Sequence, residues 1–187
     1  GKPWVLDPVG IGIGQLRSDL LQELKQYKPA IVRGNASEII ALASLWDIEA
    51  NAYESSCPRG VDTTDTVEAA RDAAAALARY TGGAVAVSGK KDLVTDGEKV
   101  VYSEGGSELM EKVTGFGCSQ GGVLAVYATA TNPFTAALAA VAHYNVAGSR
   151  AAKVADAPAS FKTAFIDELY RATARDIADN PFSVEEA

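Results

Sequence analysis

Val113-Thr114-Gly115-Phe116-Gly117-Cys118-Ser119-Gln120-Gly121-Gly122 is a glycine-rich turn that runs directly into the apolar segment Val123 to Ala130. Such a loop leaves backbone N–H groups uncovered by side chains, and a helix starting behind it adds four unpaired N–H groups and a positive dipole end. Together they read as an anion cradle suited to phosphate. Gly115 and Gly117 let the backbone approach the anion, and Cys118 falls in the first turn, where the field favours a thiolate. A candidate base thus stands beside a candidate phosphate site. The plainer alternative is a connection followed by a buried helix that carries an ordinary buried cysteine.

Upstream of the cradle, strands and helices alternate. Trp4-Val5-Leu6-Asp7-Pro8-Val9 reads as a buried central strand that ends in an acid and a turn. Leu16, Leu20, Leu21 and Leu24 recur at helical spacing and predict a crossover helix, and Ala30-Ile31-Val32-Arg33 reads as the next strand. Asn35-Ala36-Ser37-Glu38 then has two readings. It is a capping box at the start of a short helix from Ile39 to Ser44, or Glu38 joins Asp7 as a carboxylate pair for Mg²⁺ beside a phosphate. Leu45 to Gly60, with Trp46, Tyr53, Cys57 and Pro58, has no steady period. Thr64-Asp65-Thr66 predicts a cap for a helix from Val67 to Tyr80, followed by a buried strand from Ala84 to Ser88 and a hairpin, Leu93 to Thr95 with Lys99 to Ser103.

Downstream, Thr131-Asn132-Pro133 predicts the cap of an alanine-rich helix from Phe134 to about Lys153, a surface able to pack on a neighbouring subunit. A last helix is expected from Phe161 to Ala178, and the acidic tail from Ser183 to Ala187 is expected to fray. The order predicts an α/β layered fold with a mainly parallel sheet, in which Asp7, Arg33, Asn35, Glu38, Ser88 and the cradle share one edge.

Composition narrows the partners. A chain of 187 residues that is 48% apolar reads as one globular domain. A net charge of −7 with no basic run argues against nucleic acid and acidic lipid surfaces. No apolar run reaches membrane-spanning length, and Cys57 and Cys118 do not form a disulfide framework, so a reducing, cytoplasmic setting is expected. His143, inside an apolar helix, reads as a packed or interface side chain.

Lys2-Pro3-Trp4-Val5-Leu6-Asp7-Pro8-Val9-Gly10, Arg33-Gly34-Asn35-Ala36-Ser37-Glu38-Ile39, Gly60-Val61-Asp62, Ser88-Gly89 with Asp92, Asp96-Gly97 and Val113 to Cys118 occur in the order found in hydroxyethylthiazole kinases. The chain resembles that family from end to end. The resemblance implies a single ribokinase-like domain over 1–187, a three-layer fold with a mainly parallel central sheet flanked by helices. It also implies phosphorylation of 4-methyl-5-(2-hydroxyethyl)thiazole by ATP and Mg²⁺ for thiamine phosphate biosynthesis, in a homotrimer with active sites between subunits. By the same resemblance Asp7 and Glu38 organise Mg²⁺, Arg33 and Ser88 bind ATP, and Gly115 contacts the thiazole alcohol. The N–H groups of Gly115, Phe116, Gly117 and Cys118 form the anion hole, and Cys118 takes the place of the catalytic aspartate of other ribokinase-like enzymes.

Three departures from the family pattern stand out. Phe116 replaces a threonine, which predicts a large ring at the cradle. Ala157 and Ala159 replace glycines, which predicts strain if either position needs a positive φ. The family also carries an N-terminal segment before Lys-Pro-Trp, with sheet strands and part of the thiazole pocket, and that segment is expected to exist elsewhere, with this chain N-terminally incomplete. These departures keep a second function open, a degenerate nucleotide-binding or assembly subunit. A third is another ribokinase-like activity, such as hydroxymethylpyrimidine kinase or a nicotinamide-hydrate dehydratase, against which the cysteine at 118 counts.

Overall fold

The computed structural model describes residues 1–48 and 67–186. The readings at Tyr53, Cys57, Gly60-Val61-Asp62 and Thr64-Asp65-Thr66 lie outside the described residues.

Three parallel strands form the heart of the sheet: β1 (Val5–Leu6), β2 (Ile31–Asn35) and β3 (Ala84–Ser88). The helix α1 (Gln15–Leu24) connects β1 to β2; α2 (Ala36–Leu45) and α3 (Arg71–Thr81) lie between β2 and β3. The hairpin β4 (Asp92–Thr95) and β5 (Lys99–Ser103) continues the sheet antiparallel to β3. Then come α4 (Phe116–Ala128), α5 (Pro133–Ala151), α6 (Pro158–Arg171), α7 (Ala174–Ala178) and β6 (Phe182–Glu186), which pairs antiparallel with β5. Strand order is β1-β2-β3-β4-β5-β6.

Alternation along the strands sets the three layers, because successive side chains leave opposite faces. Val85 and Val87 of β3 join Val32, Leu93 and the helices α1 to α3 in one core, while Ala84 and Ala86 join Ile31, Val94 and the helices α4 and α5 in the other. A third cluster lies beyond the sheet, where Phe116, Tyr144, Phe161 and Phe165 gather between α4, α5 and α6.

The structure corrects several expectations. Residues 67–70 form turns, closed by Ala70 N–H to Val67 O and Arg71 N–H to Glu68 O, so the helix begins at Arg71 rather than Val67. The expected last helix is two helices. Ala172 is extended, and Thr173 restarts the helix with a capping box to Asp176. The tail does not fray: β6 pairs with β5 from Phe182 to Glu186, and Arg71 is ion-paired to Glu185 at 2.9 Å. The alanine-rich helix is not a neighbour-facing surface, since Ala136, Ala137, Ala140, Ala147 and Ala151 are fully buried within the chain. Exposed apolar side chains lie instead at Val9, Ile13, Leu16 and Leu20, and only Leu21 of the predicted α1 stripe is buried. β1 lies at the edge of the described sheet, as expected of a chain without the family's N-terminal segment. Among the described residues no helix is long and apolar enough to cross a membrane.

Candidate functional site

The parallel strands deliver Asp7, Arg33, Asn35 and Ser88 to one edge, with Asn35 and Ser88 directly opposite each other in the β2–β3 register. Arg33 is the hub. It is 8% exposed, and its Nη2 donates to Ser88 Oγ at 2.6 Å, its Nη1 to Asp7 Oδ2 at 3.2 Å and its Nε to Gln120 Oε1 at 3.2 Å. Ser88 in turn donates to Gly34 O at 3.3 Å. These bonds use three of the five guanidinium N–H groups and leave the others for an anion. The Ser88 hydroxyl, expected to face a nucleotide, is therefore engaged as an anchor for Arg33.

The first turn of α4 sits directly over this guanidinium. A Cβ on Gly117 would meet Arg33 Nη2 at 2.8 Å and Nη1 at 3.0 Å, so the close approach needs glycine there. Gly115, at φ 90°, takes the left-handed conformation that feeds the chain into the helix, and no side chain caps the helix start. The Phe116 N–H reaches Val113 O at a long 3.4 Å and Ser119 N–H closes the first helical bond to Gly115 O at 2.9 Å. Between them the amides of Gly117 and Cys118 point out of the helix end without an intrahelical partner. The positive dipole end and the guanidinium thus converge on one spot, a geometry that binds anions. Cys118 is a free, exposed thiol in this turn. Ser119 Oγ, which donates to Phe116 O at 2.9 Å and lies 2.8 Å from the Tyr144 hydroxyl, pins the turn to α5.

The Phe116 ring does not occupy the cradle. It turns into the aromatic cluster, with ring centroids 4.5 Å from Phe165 and 5.9 Å from Phe161. Nor is strain found at the alanines: Ala157 is extended at φ −131° and Ala159 is helical, and the positive-φ residues other than glycine among those described are Lys28 and Asp47. His143 is packed, within 3.1 Å of the Tyr127 hydroxyl and 2.8 Å of Leu169 O.

Glu38 forms the capping box. Its Oε2 accepts the Asn35 N–H at 2.9 Å, while Asn35 Oδ1 accepts the Glu38 N–H at 2.9 Å. Its Oε1 accepts the Gly10 N–H at 3.4 Å, which ties the loop after β1 to α2. Asp7 differs, because its Oδ1 is buried with no hydrogen-bond partner among the described residues. Among the described residues no three His, Cys, Asp or Glu side chains gather as a metal cage. An orphaned carboxylate oxygen beside an anion cradle nonetheless fits a Mg²⁺ that keeps waters and phosphate oxygens as its other ligands.

Two residues of this site were not anticipated. Gln120 is a buried polar side chain in an otherwise apolar helix, and its one signal is that mismatch. Asn145, buried in α5, donates from Nδ2 to Ser103 Oγ at 3.1 Å, and its side chain helps to lower the Asp92 pKa. Burial pushes the Asp92 carboxyl up to about 6, against the opposing pull of the Gly89 N–H, Asn145 and Arg33.

A model of the hydroxyethylthiazole kinase family matches residues 1–175. Among curated proteins, the hydroxyethylthiazole kinase of Bifidobacterium longum strain DJO10A is 45% identical over 98% of this chain and 64% of its own length. That of Corynebacterium glutamicum strain R is 44% identical over 95% of this chain and 65% of its own. The chain therefore spans under two thirds of the length of these curated relatives. A solved structure from Pyrococcus horikoshii OT3, described as a hydroxyethylthiazole kinase protein, superposes with a TM-score of 0.81 at 29% identity, covering 100% of this chain and 66% of that one. Staphylococcus aureus pyridoxal kinase in complex with AMP-PCP superposes with a TM-score of 0.61, covering 100% of this chain and 64% of that one; at 18% identity it shows the fold alone. The fold is ribokinase-like α/β.

Proposed function

Since the chain belongs to the hydroxyethylthiazole kinase family, we propose that it transfers the γ-phosphoryl group of ATP to the hydroxyl of 4-methyl-5-(2-hydroxyethyl)thiazole, as a step toward thiamine phosphate. The observation that carries this reading is the uncapped first turn of α4 lying on the Arg33 guanidinium. Arg33 holds the phosphate through its remaining N–H groups. The Gly117 and Cys118 amides, with that of Gly115 and, once released from Val113 O, that of Phe116, receive the charge that spreads over the phosphoryl oxygens during transfer. The alcohol sits against Gly115, where no side chain obstructs it. Its oxygen bonds to phosphorus as the bond to the ADP oxygen breaks, and its proton passes to the Cys118 sulfur.

Asp7, through its free Oδ1, would hold Mg²⁺, with Glu38 reaching it through water. Bound there, Mg²⁺ would supply neutralising charge to the phosphates. Three copies assembling through the apolar strip of Val9, Ile13, Leu16 and Leu20 would place a subunit boundary beside the loop that Gly10 ties to Glu38. A sedimentation mass of three chains checks that assembly. The free Cys118 and the net charge of −7 suit a cytoplasmic enzyme of small molecules.

The test is thiazole-dependent ADP release with MgATP. Cys118→Ser is expected to cut turnover more than nucleotide affinity, and unchanged turnover removes the base assignment. The degenerate-subunit reading loses two of its supports, since Phe116 leaves the cradle open and Ala157 is unstrained. It returns if nucleotide binds and ADP never forms.

A further inference from the structure

Asp92 is a buried carboxylate that the transfer reaction leaves without a role. It opens β4 directly after the turn that follows Ser88, is 8% exposed, and its Oδ1 accepts the Gly89 N–H at 3.0 Å. Asp92 stands directly opposite Ser103 in the β4–β5 register, and the Asn145 side chain acts on the same carboxylate by lowering its pKa. Asn145 also donates from Nδ2 to Ser103 Oγ at 3.1 Å, and its carbonyl accepts the Gly106 N–H at 3.0 Å. Asn180 Nδ2 adds a second bond to Ser103 Oγ at 3.1 Å. A single buried polar network therefore ties the Gly89 turn to the loop after β5, and both loops border the rim that carries Ser88.

The near end of that network is close to Arg33 in two ways. Gly89 is the next residue after Ser88, whose hydroxyl receives the guanidinium at 2.6 Å, and the Asp92 charge acts on Arg33 directly. A buried carboxylate that is ionised at neutral pH opposes folding unless fully compensated. Burial outweighs the compensating bonds here and pushes the carboxyl up to about 6. An asparagine would keep an acceptor for Gly89 without that burden, so fold stability alone does not account for an acid at this corner.

Resting on the kinase reading above, we infer that Asp92 is a positioning residue of the nucleotide site, setting with Asn145 the Ser88–Gly89 corner that holds Arg33 under the first turn of α4. The carboxylate touches neither substrate. It acts through the corner on phosphate binding.

The experiment compares Asp92→Asn and Ser103→Ala with the wild-type protein by calorimetric titration of MgADP, steady-state kinetics in ATP and in thiazole, and thermal melting. Asp92→Asn is expected to weaken MgADP binding and raise the KM for ATP, each roughly tenfold, the scale of one lost charged hydrogen bond. The KM for thiazole and kcat at saturating ATP stay at wild-type values, and the melting temperature at pH 8 holds or rises. Ser103→Ala, opposite Asp92 in the β4–β5 register and one bond from Asn145, lowers the melting temperature and weakens MgADP binding much less than Asp92→Asn does. A purely structural role moves melting and binding together in both variants. Wild-type MgADP affinity in a folded Asp92→Asn protein, or a loss of affinity matched by Ser103→Ala, overturns the inference. If Asp92→Asn does not fold, Asn145→Ser carries the same split between the two KM values, and its absence overturns the inference too. A wild-type protein that binds no MgADP overturns the kinase reading itself and this inference with it.

Discussion

Two helices begin at the same rim, on opposite faces of the sheet, and treat their first amides in opposite ways. At α2, Asn35 and Glu38 satisfy each other's backbone N–H groups at 2.9 Å, and Glu38 takes the Gly10 N–H as well. At α4, Gly115 contributes no side chain, and the amides of Gly117 and Cys118 open over the Arg33 guanidinium. Both starts have the same dipole and the same unpaired groups at the outset. What separates them is whether the chain supplies its own anion. The carboxylate of Glu38 is the internal ligand of α2, and the equivalent place at α4 is left for an external one. The contrast sorts the rim into a part that stabilises the fold and a part that is available for binding.

The largest expected effect tests the open end. Arg33→Ala removes the charge beneath the α4 amides and leaves Asp7, Ser88 and Gln120 without their donor. Catalytic efficiency toward ATP should fall by about a hundredfold to a thousandfold, in line with loss of a buried charged hydrogen-bonding partner. Arg33→Lys should not restore it, because an ammonium cannot span Asp7, Ser88 and Gln120 at once. Steady-state kinetics in ATP measure this. A wild-type efficiency in Arg33→Ala would mean the open helix end binds no phosphate, and the contrast between the two helices would lose its functional meaning.

The next effect concerns what stands behind each end. The Asp92 carboxyl is raised from the ordinary aspartate value to about 6 by burial. A raised folded-state value means the folded protein holds the proton more tightly than the unfolded chain does. The stabilising contribution is therefore fully present below about pH 4 and is lost as pH rises through about 6, amounting to about 3 kcal/mol. Urea unfolding of wild-type and Asp92→Asn proteins across pH 4 to 8 isolates it. Asp176, held down at about 2 by the Thr173 N–H and Arg150, runs the other way, but it is common to both proteins and cancels in the difference. Parallel pH profiles would show that the carboxylate is solvated and that no burden lies behind the open end.

The rim was legible in the sequence because its signals are local. Asp7 at a strand end, Asn35-Ala36-Ser37-Glu38 as a cap and Gly115 to Cys118 at a helix start each fit within a few residues. The way the pieces are fastened was not legible. Gln120 meets Arg33 across 87 positions and Asn180 meets Ser103 across 77, and no short pattern marks such partners. Phe116 misled for the same reason: its ring leaves the cradle for Phe161 and Phe165, forty-odd residues on, which only the packed fold reveals. The break between α6 and α7 did carry a local signal, the Thr173 to Asp176 capping pair, hidden within a stretch that reads as one helix. Strand β6 was hidden by its acids, since Glu185 and Glu186 suggest a solvated tail while pairing with β5 is set by backbone groups that no side chain announces.

The smallest effect decides whether the closed end is purely structural. Asn35→Ala removes the side-chain half of the capping box and should cost about 1 kcal/mol of stability. It leaves the Asn35 backbone N–H on Glu38, so ATP kinetics should not change. Glu38→Gln makes the complementary cut: an amide oxygen still accepts the Asn35 N–H, but the amide NH2 cannot accept the Gly10 N–H, so a modest loss of stability accompanies the loss of the negative charge. If Glu38 serves the cap alone, the Mg²⁺ dependence of turnover in Glu38→Gln matches wild type. If it also supports Mg²⁺ through water, the concentration of Mg²⁺ needed for half-maximal turnover rises, beyond the modest shift in urea unfolding that loss of the Gly10 bond brings. Glu38 would then satisfy the α2 amides and face the phosphate site at once, and the two helix starts would form one site with α2 holding its cation and α4 its anion.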